Sequence, residues 1–474
     1  MPDRPSPVAP PAPGARPSLR EPGAILLVSC YELGHQPLGL AFPCAFLARA
    51  GFAPAAADLA IGPLPAEAVR RARLVAVSVP MHTALRIGIA AARRVRELNP
   101  DAIIAFYGSY AQLNRAHLLA GIGDVVLGGE AEAALVTVAE SVERGGDPRA
   151  AGGIGLTRLD FPVPARDALP PLERYATCEI AGERRLAGAV EASRGCLHLC
   201  RHCPIPPVYG GRFFVVPPDV VLADIRWLVA HGARHITFAD PDFLNGPRHA
   251  VRIAEALHDQ HPTLTFDFTA KVEHLRRHRD LLPRFARAGC AFIVTAAESL
   301  SDRVLEALDK GHTRADLEAV LRAVRAEGMT LRPSWLPFTP WTSLDDYLEM
   351  LEWLAVEDLV ACVEPVQLSI RLLVPPGSLL LDRPDLRPHL RGLDAERLSW
   401  RWAHPDARME RLHATVSEIV HRANHSGEDV VTTFERVRVA ARALARGSLR
   451  PAAALATHAE RRPVPPRLTE PWFC

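Results

Sequence analysis

The sequence predicts an α/β protein with a doubly wound, Rossmann-type N-terminal domain, a second β/α domain and a helical C-terminal region. Two observations carry this prediction: short apolar runs alternate with helical stretches twice along the chain, and helical periodicity dominates residues 401–474. A chain of 474 residues has room for two or three domains with cores of their own. The polar, proline-rich residues 1–22 predict a disordered lead-in.

The first alternation occupies residues 23–150. Its apolar runs predict five buried strands: Ala24–Ser29, Ala53–Asp58, Leu74–Val79, Ala102–Phe106 and Asp124–Leu127. Because a helical stretch follows each run, the strands are expected to be parallel and covered by helices on both faces. The stretch 151–185 is rich in glycine and proline and predicts a linker.

The second alternation occupies residues 186–400 and contains six β/α units. The predicted strands lie at 186–193, 235–239, 264–270, 291–296, 329–335 and 366–373. Polar residues alternate with apolar ones in the third run (Asp267, Thr269 and Lys271) and in the sixth (Gln367, Ser369 and Arg371). Since side chains alternate between the two faces of a strand, this pattern predicts a polar interior, with a solvated edge strand as the alternative.

Charge and composition narrow the function classes. With 55 basic and 54 acidic residues the net charge is +1, so neither a nucleic acid nor an anionic membrane is an expected partner. The sequence shows neither a run of 18 apolar residues nor a basic-then-apolar start, so we expect no membrane span and no signal peptide. Nine cysteines, three of them tightly grouped, favour a reduced, cytoplasmic location and metal binding over disulfides.

The grouped cysteines are the most informative feature of the chain. Cys196, Cys200 and Cys203 have the spacing C-x3-C-x2-C and directly follow an apolar run. Three thiolates on a short loop can hold three irons of a [4Fe–4S] cluster and leave the fourth iron open. The alternative is a zinc site with His198 or His202 as fourth ligand, but zinc ribbons usually carry a second cysteine pair, which this sequence lacks.

This spacing, placed after the first strand of a β/α series, resembles the radical S-adenosylmethionine (SAM) superfamily. The resemblance implies a partial (β/α)6 barrel and a cluster whose open iron chelates the amino and carboxylate groups of SAM. It also implies one-electron cleavage of SAM to methionine and a 5′-deoxyadenosyl radical. The electron would come from a donor such as flavodoxin or ferredoxin.

Other candidate residues follow from position at the ends of strands. Asp240 stands where the superfamily often has a Gly-Gly-Glu segment that holds SAM, although a helix cap explains it equally well. Glu298 and Ser299 resemble the Glu-Ser pair that contacts SAM in many members; a cap for the helix at 302–309 is again the alternative. The inward polar pattern makes Lys271 and Arg371 the candidate catalytic residues.

The N-terminal domain resembles that of the cobalamin-binding radical SAM class. The resemblance rests on Tyr107–Asn114 and on the Gly-Glu-x-Glu segment within Asp124–Glu132. The Asp-x-His-x-x-Gly motif that ligates cobalt in other cobalamin proteins is absent, so the sequence leaves open whether cobalamin is bound. His35 and His82 are expected to be ordinary surface histidines.

The end of the sequence adds a further resemblance. The residues around the cluster, together with the Pro-Trp-Phe-Cys ending, resemble radical SAM proteins that carry a Cys-selenocysteine-Ala-Glu-Pro or Cys-Cys-Ala-Glu-Pro tail. We therefore expect a selenocysteine to follow Cys474 and to form a redox pair with it; a natural terminus with one exposed thiol is the alternative.

Three functions follow from these observations. The leading prediction is a radical SAM enzyme that abstracts hydrogen from, or methylates, a small-molecule or peptide substrate. The alternatives are a non-catalytic cobalamin- or metal-responsive binding protein and a radical SAM maturase that acts on a partner protein.

Overall fold

The structure, a computed structural model, describes residues 18–445 and 464–470. Two sheets dominate these residues, a six-stranded sheet near the N-terminus and a seven-stranded sheet after it. Most of the predicted lead-in, and Cys474 with its proposed redox partner, lie outside the described residues. None of the described helices is long and apolar enough to cross a membrane.

The first sheet is parallel throughout, with the strand order β2-β1-β3-β4-β5-β6. Its strands are β1 (Ile25–Ser29), β2 (Ala55–Asp58), β3 (Leu74–Ser78), β4 (Ile103–Tyr107), β5 (Val125–Gly129) and β6 (Gly153–Gly155). Its helices are α1 (Leu38–Arg49), α2 (Ala66–Arg71), α3 (His82–Leu98), α4 (Ser109–Leu113), α5 (Arg115–Leu119) and α6 (Ala131–Glu143). All five predicted strands are confirmed, and the predicted linker supplies the sixth.

The first sheet has a core on each face. β1 and β3 are buried along their whole length, as expected for strands covered by helices on both sides. One core contains Val28, Val77 and Phe106, and the other contains Leu27 and Leu127. Because the strands are parallel, their carboxyl ends meet at one edge, and that edge faces the second domain.

The second sheet has the order β14-β13-β12-β11-β8-β7-β17. The strands of the remaining chain are β7 (Thr177–Ile180), β8 (Glu183–Val190), β9 (Ser193–Gly195), β10 (Phe213–Val215), β11 (His235–Phe238), β12 (Thr265–Thr269), β13 (Cys290–Glu298), β14 (Thr330–Trp335), β15 (Leu390–Asp394), β16 (Ser399–Trp402) and β17 (Arg467–Leu468). β8 and β11–β14 are parallel and form a curled half-barrel, whereas β7 and β17 are antiparallel additions at one edge.

Helices cover the outside of this half-barrel. The short helix α7 (Pro206–Tyr209) is an exception, because it packs against α4 and β5 of the first domain. The others are α8 (Pro218–Ala230), α9 (Pro247–Gln260), α10 (Val272–Arg277), α11 (Leu282–Arg287), α12 (Asp302–Leu308), α13 (Arg314–Ala326), α14 (Leu344–Val356), α15 (Ala407–Ser426) and α16 (Val430–Leu444). The last two pack against each other and form the predicted helical C-terminal region.

The predicted alternation of faces is confirmed in β12. The Asp267 carboxylate accepts a hydrogen bond from the Thr237 hydroxyl at 2.7 Å and lies 2.8 Å from Nε2 of His235, both on the neighbouring strand. On the other face, Phe268 packs against Phe285 of α11, with ring centroids 5.1 Å apart. The interior of the half-barrel is therefore polar at this point, and the helical side is apolar.

The predicted sixth strand at 366–373 is wrong. Pro365–Ser369 forms a short 3-10 helix, and only a single bridge, Phe338 to Arg371, continues the sheet. Pro365 has no backbone N–H to donate to a ladder, and the side chain of Gln367 accepts the Trp335 N–H at 3.1 Å. Because the segment is not a strand, its side chains do not alternate between two faces. The alternation that made Arg371 an inward-facing candidate is therefore absent.

The segment around β17, residues 464–470, contacts both domains. β17 pairs with β7, and Thr469 hydrogen-bonds Thr177 beyond the end of the strand. Glu470 then accepts a hydrogen bond from the Tyr31 hydroxyl of the N-terminal domain at 2.6 Å. An edge of the second sheet that would otherwise be unpaired is thus closed by the chain itself.

A buried arginine holds the two domains together. Arg166 lies in the segment between them, and its side chain is fully buried. Its guanidinium donates to both carboxylate oxygens of Asp224 on α8, to the Gln36 side chain of the N-terminal domain and to the Ala189 carbonyl of β8. One side chain therefore fixes the segment, the half-barrel and the first domain relative to one another.

Arg166→Ala should lower the free energy of unfolding by about 3–5 kcal/mol, because it leaves the Asp224 carboxylate buried without a cation. Arg94→Ala is the matched control: its ion pair with Glu97 is exposed, and its loss should cost less than about 1 kcal/mol. Denaturant unfolding of the two variants measures the difference. Equal losses would contradict the role assigned to Arg166.

Candidate active site

The loop that carries the three cysteines begins where the first half-barrel strand ends. β9 and β10 pair in antiparallel fashion on either side of it, and the Cys196 N–H donates to the Arg212 carbonyl at 3.1 Å. The Cys203 N–H donates to the Cys200 carbonyl, which folds the loop back on itself. Cys196 and Cys200 are buried, and Cys203 is half-buried.

The environment of the sulfurs fits a metal cluster. Burial, and to a smaller extent the nearby Cys200 and Cys196 sulfurs, raise the pKa of the Cys203 thiol to about 12. Three thiolates held together in this place therefore need a positive centre to be stable. Iron ions in a cluster supply that charge, so the donor set fits the group predicted from the spacing.

Asn245 supports the start of the loop and is a residue that the sequence analysis missed. Its side-chain oxygen accepts the Leu197 N–H at 3.1 Å and lies 3.8 Å from the Cys196 sulfur. The only signal in the sequence is its position, shortly after the Asp-Pro-Asp-Phe segment that ends the second half-barrel strand.

Asp240 lies close to the loop, but each of its carboxylate oxygens already accepts a hydrogen bond from the protein. The donors are the Ala192 N–H at 2.8 Å and the Ser193 hydroxyl at 2.5 Å. Burial outweighs these two donors and raises the pKa of Asp240 to about 7. The contacts give Asp240 a role in shaping the turn before the cysteines, and its contact with SAM stays a prediction.

Glu298 ends β13 in a left-handed backbone conformation with φ of 64°, which is uncommon for a residue other than glycine. Its carboxylate lies 3.1 Å from Nε2 of His202 and 3.3 Å from the Lys310 ammonium. Burial alone would raise its pKa, but Lys310 and His202 outweigh burial and lower it to about 2. Glu298 is therefore ionised and connects a buried cation to the residue before Cys203.

Two residues beside Glu298 complete this side of the site. Lys310 is buried, and its ammonium is paired with the Glu298 carboxylate. The Ser299 hydroxyl accepts the Ser301 N–H at 3.1 Å, but α12 has no side-chain cap at its start, so the contact of Ser299 with SAM stays a prediction.

A second polar group lies on the other side of the loop. Nε2 of His198 is 3.0 Å from Nε2 of His274, and Nδ1 of His274 is 2.8 Å from the Asp242 carboxylate. Lys271, which is buried, lies 3.7 Å from Glu273, and Glu273 in turn lies 3.5 Å from His198. Burial, followed by Lys271, lowers the pKa of His198 to about 4, so its ring is neutral at pH 7. Lys271 therefore lies beside the cysteine loop, and its catalytic role stays a prediction.

Arg371 lies elsewhere. Its guanidinium makes a two-pronged contact with the Glu410 carboxylate at 2.9 Å, donates to the Trp402 carbonyl and stacks on the Trp402 ring at 3.7 Å. These contacts join the half-barrel to α15. They describe a packing role, and a catalytic role for Arg371 stays a prediction without support from its surroundings.

A cavity of about 330 Å³ lies between the two domains. Glu32, Ser78 and Glu132 line it from the edge of the first sheet, and Arg194 and Ile205 line it from the two ends of the cysteine loop. His35 also lines this cavity, so the prediction of a surface position for it is wrong. A ligand in the cavity would touch both domains and the loop at once.

Arg194 closes one side of this cavity. Its guanidinium lies 2.6 Å from Glu132, 2.8 Å from Glu191 and 3.6 Å from Glu130. It also lies over the rings of two phenylalanines, Phe42 at 4.7 Å and Phe161 at 4.9 Å. The Gly-Glu-x-Glu segment of the first domain therefore binds the strand that leads into the cysteine loop.

Comparisons with known proteins agree with this geometry. The model of the Radical SAM superfamily matches residues 190–354, the region that contains the cysteine loop and most of the half-barrel. The anaerobic magnesium-protoporphyrin IX monomethyl ester cyclase of Synechocystis sp. is 23% identical over 279 residues, which are 56% of this chain and 55% of that protein. The chain spans about half the length of the curated relatives it matches.

Two solved structures share the fold over most of the chain. OxsB, a cobalamin-dependent SAM radical enzyme, has a TM-score of 0.67 at 14% identity and covers 89% of this chain and 72% of its own. TsrM from Kitasatospora setae, a radical SAM methyltransferase solved with cobalamin and a [4Fe–4S] cluster, has a TM-score of 0.56 at 17% identity and covers 70% of this chain and 73% of its own. The chain therefore contains a radical SAM domain, which implies a [4Fe–4S] cluster and SAM, within the overall fold of cobalamin-dependent radical SAM enzymes.

Proposed function

We propose that the protein is a radical SAM enzyme that abstracts hydrogen from, or methylates, a small-molecule or peptide substrate. The observation that carries this proposal is the buried loop of Cys196, Cys200 and Cys203 at the mouth of the half-barrel. When bound there, a [4Fe–4S] cluster supplies the single electron that cleaves SAM. The chain's own part is to hold the cluster with three sulfurs, to position SAM and to enclose the substrate.

The positions of two histidines support a three-cysteine site over zinc binding by a regulatory protein. His198 and His202 are the residues that could complete a zinc site with the cysteines. Nε2 of His202 lies against the Glu298 carboxylate, and Nε2 of His198 lies against His274. Nε2 of each ring is therefore engaged with another side chain, which favours the three sulfurs as an incomplete set, suited to a cluster with one open iron.

We propose that Glu298, Ser299 and Lys271 contact SAM. Glu298 and Ser299 end β13 and Lys271 follows β12, so all three stand at the carboxyl ends of half-barrel strands beside the cysteine loop. An ionised carboxylate and a buried ammonium are complementary to the amino and carboxylate groups of SAM. The reaction also needs a reductant and a substrate, and we propose flavodoxin or ferredoxin as the reductant.

We propose that cobalamin binds in the cavity between the domains. Oε1 of Glu32 and Oε2 of Glu132 are buried there and have no hydrogen-bond partner among the described residues. The carboxamide groups around the cobalamin ring are donors of the kind these two acceptors lack. The cavity is open to solvent, so a ligand larger than its volume can extend past the mouth. Bound cobalamin would supply a cobalt centre for methyl transfer.

Cys196→Ser, Cys200→Ser and Cys203→Ser should each abolish the cluster and the formation of 5′-deoxyadenosine from SAM, because each removes an iron ligand. Cys44→Ser, a buried cysteine of α1, is the matched control and should keep both. Iron and sulfide analysis of anaerobically purified protein measures the first effect, and product analysis measures the second. Stoichiometric zinc without iron in the unmodified protein would refute the proposed function.

Glu298→Gln should weaken SAM binding by about 1–3 kcal/mol, because it removes a charged acceptor from the site. Glu410→Gln changes the partner of Arg371 in the same way and should leave SAM affinity unchanged. Equilibrium binding of SAM to the cluster-loaded variants measures both values. An equal loss of SAM affinity in the two variants would contradict this expectation. It would mean that Arg371 and Glu410 influence SAM binding as much as Glu298 does.

Ala131→Trp should prevent cobalamin binding, because Ala131 lines the cavity and an indole would occupy it. Ala133→Trp places the same side chain on an exposed position of the same helix and should leave binding intact. Co-elution of the corrinoid absorption with the protein in gel filtration measures retention. Equal retention by both variants, or none by the unmodified protein, would contradict the proposed site.

A further inference from the structure

The cysteine loop exposes two leucines. Leu197 and Leu199 are 46% and 51% exposed, whereas Cys196 and Cys200 on either side are buried. Burying a leucine side chain gains about 1.5–3 kcal/mol, so two leucines left in water on a short loop are unfavourable for the isolated protein. Apolar side chains grouped in this way mark a surface that contacts a partner.

The turn that leads into β10 packs against the two leucines and enlarges the apolar surface that they form. A Cβ placed on Gly211 would lie 3.5 Å from the Leu199 side chain and 3.6 Å from the Leu197 carbonyl, so this turn packs directly against the loop. Gly211 itself has φ of 79°, which a glycine adopts without strain. The half-exposed Phe213 extends the surface beyond the turn.

Two arginines border this surface. Arg212 is exposed, makes no ion pair with the residues that the structure describes, and is held beside the loop because its carbonyl accepts the Cys196 N–H. Arg201 lies 3.9 Å from the exposed Asp309 carboxylate, which offsets its charge. The charge on the rim that has no described counter-ion is therefore that of Arg212, and it favours an acidic partner.

The exposed surface and the cavity use different parts of the same loop. The residues of the loop that line the cavity are Arg194, Gly195, Pro204 and Ile205. Leu197, Leu199, Arg201, Gly211, Arg212 and Phe213 do not line it. A partner on the outer surface would therefore not compete with a ligand in the cavity, yet it would lie next to the cysteines.

We propose that Leu197, Leu199, Arg201, Gly211, Arg212 and Phe213, here called the docking patch, bind a small acidic electron-carrier protein of the flavodoxin or ferredoxin class. This proposal rests on the proposed function and identifies the surface through which the cluster is reduced. The carrier is oxidised by one electron and the cluster gains that electron, with no bond formed or broken. The arginines steer the carrier, and the leucines exclude water from the contact.

Leu199→Glu and Arg212→Glu in the cluster-loaded protein test the proposal. Each should slow reduction of the cluster by reduced flavodoxin or ferredoxin at least about tenfold, because each introduces repulsion against an acidic carrier. Reduction by dithionite, which needs no docked protein, should not change. Leu393→Glu, which replaces another half-exposed leucine outside the docking patch, is the control. Its cluster should be reduced at the unmodified rate by the protein carrier and by dithionite. Bleaching of the cluster absorption in stopped flow measures these rates.

Calorimetric titration with oxidised flavodoxin and with oxidised ferredoxin tests docking separately from the chemistry. One of the two carriers should bind the unmodified protein, with an affinity that falls as salt is raised and falls at least about tenfold in Arg212→Glu. Arg212→Glu is the safer variant, since the loop uses only its backbone carbonyl. The proposal is overturned if neither carrier binds, or if Arg212→Glu and Leu393→Glu match the unmodified protein. Absence of a cluster would instead refute the proposed function. The titration would then still decide whether a carrier binds the docking patch.

Discussion

The contact on which the site depends is the one between Arg194 and the carboxylates around it. Arg194 comes two residues before Cys196, and Glu132 and Glu130 belong to the first domain, so this ion-paired group fixes the cysteine loop against the edge of the first sheet. Its partners are buried, and a buried charge is tolerated only when it is well paired. The two phenylalanine rings beside the guanidinium exclude water and strengthen the pairing. The cavity, the loop and the half-barrel mouth take their relative positions from this group.

This arrangement gives the loop an inner and an outer side. Its two ends face the cavity between the domains, where buried acceptors without partners are suited to a ligand. Its middle faces solvent with two leucines, next to the exposed Arg212 of the turn that leads into β10, and these side chains are suited to a protein partner. Side chains that end or follow the neighbouring strands also contact the loop: Glu298 reaches His202, and Glu273 reaches His198. The inner and outer sides of the loop are therefore different surfaces that meet at the cysteines.

Sequence patterns predicted the features that depend on local periodicity. The five strands of the first sheet, the inward face at Asp267 and the cysteine loop follow from alternation and spacing alone. The predictions that were wrong or missing concern residues whose roles depend on long-range contacts. Arg371 was assigned to a strand that Pro365 prevents, and its side chain pairs with Glu410 instead. Arg166 and Asp224 are 58 residues apart, and no property of either segment indicates that they meet. Asn245 and His274 were missed for the same reason, since their roles exist only after the half-barrel has closed.

The central claim is that the three cysteines leave one iron open to SAM. Electron–nuclear double resonance of the reduced, cluster-loaded protein tests it most directly, with SAM labelled at the amino nitrogen and at the carboxylate oxygens. The account predicts that both labels couple to the cluster. A cluster signal that SAM does not change, or coupling from a protein nitrogen at the fourth iron in place of SAM, would contradict it.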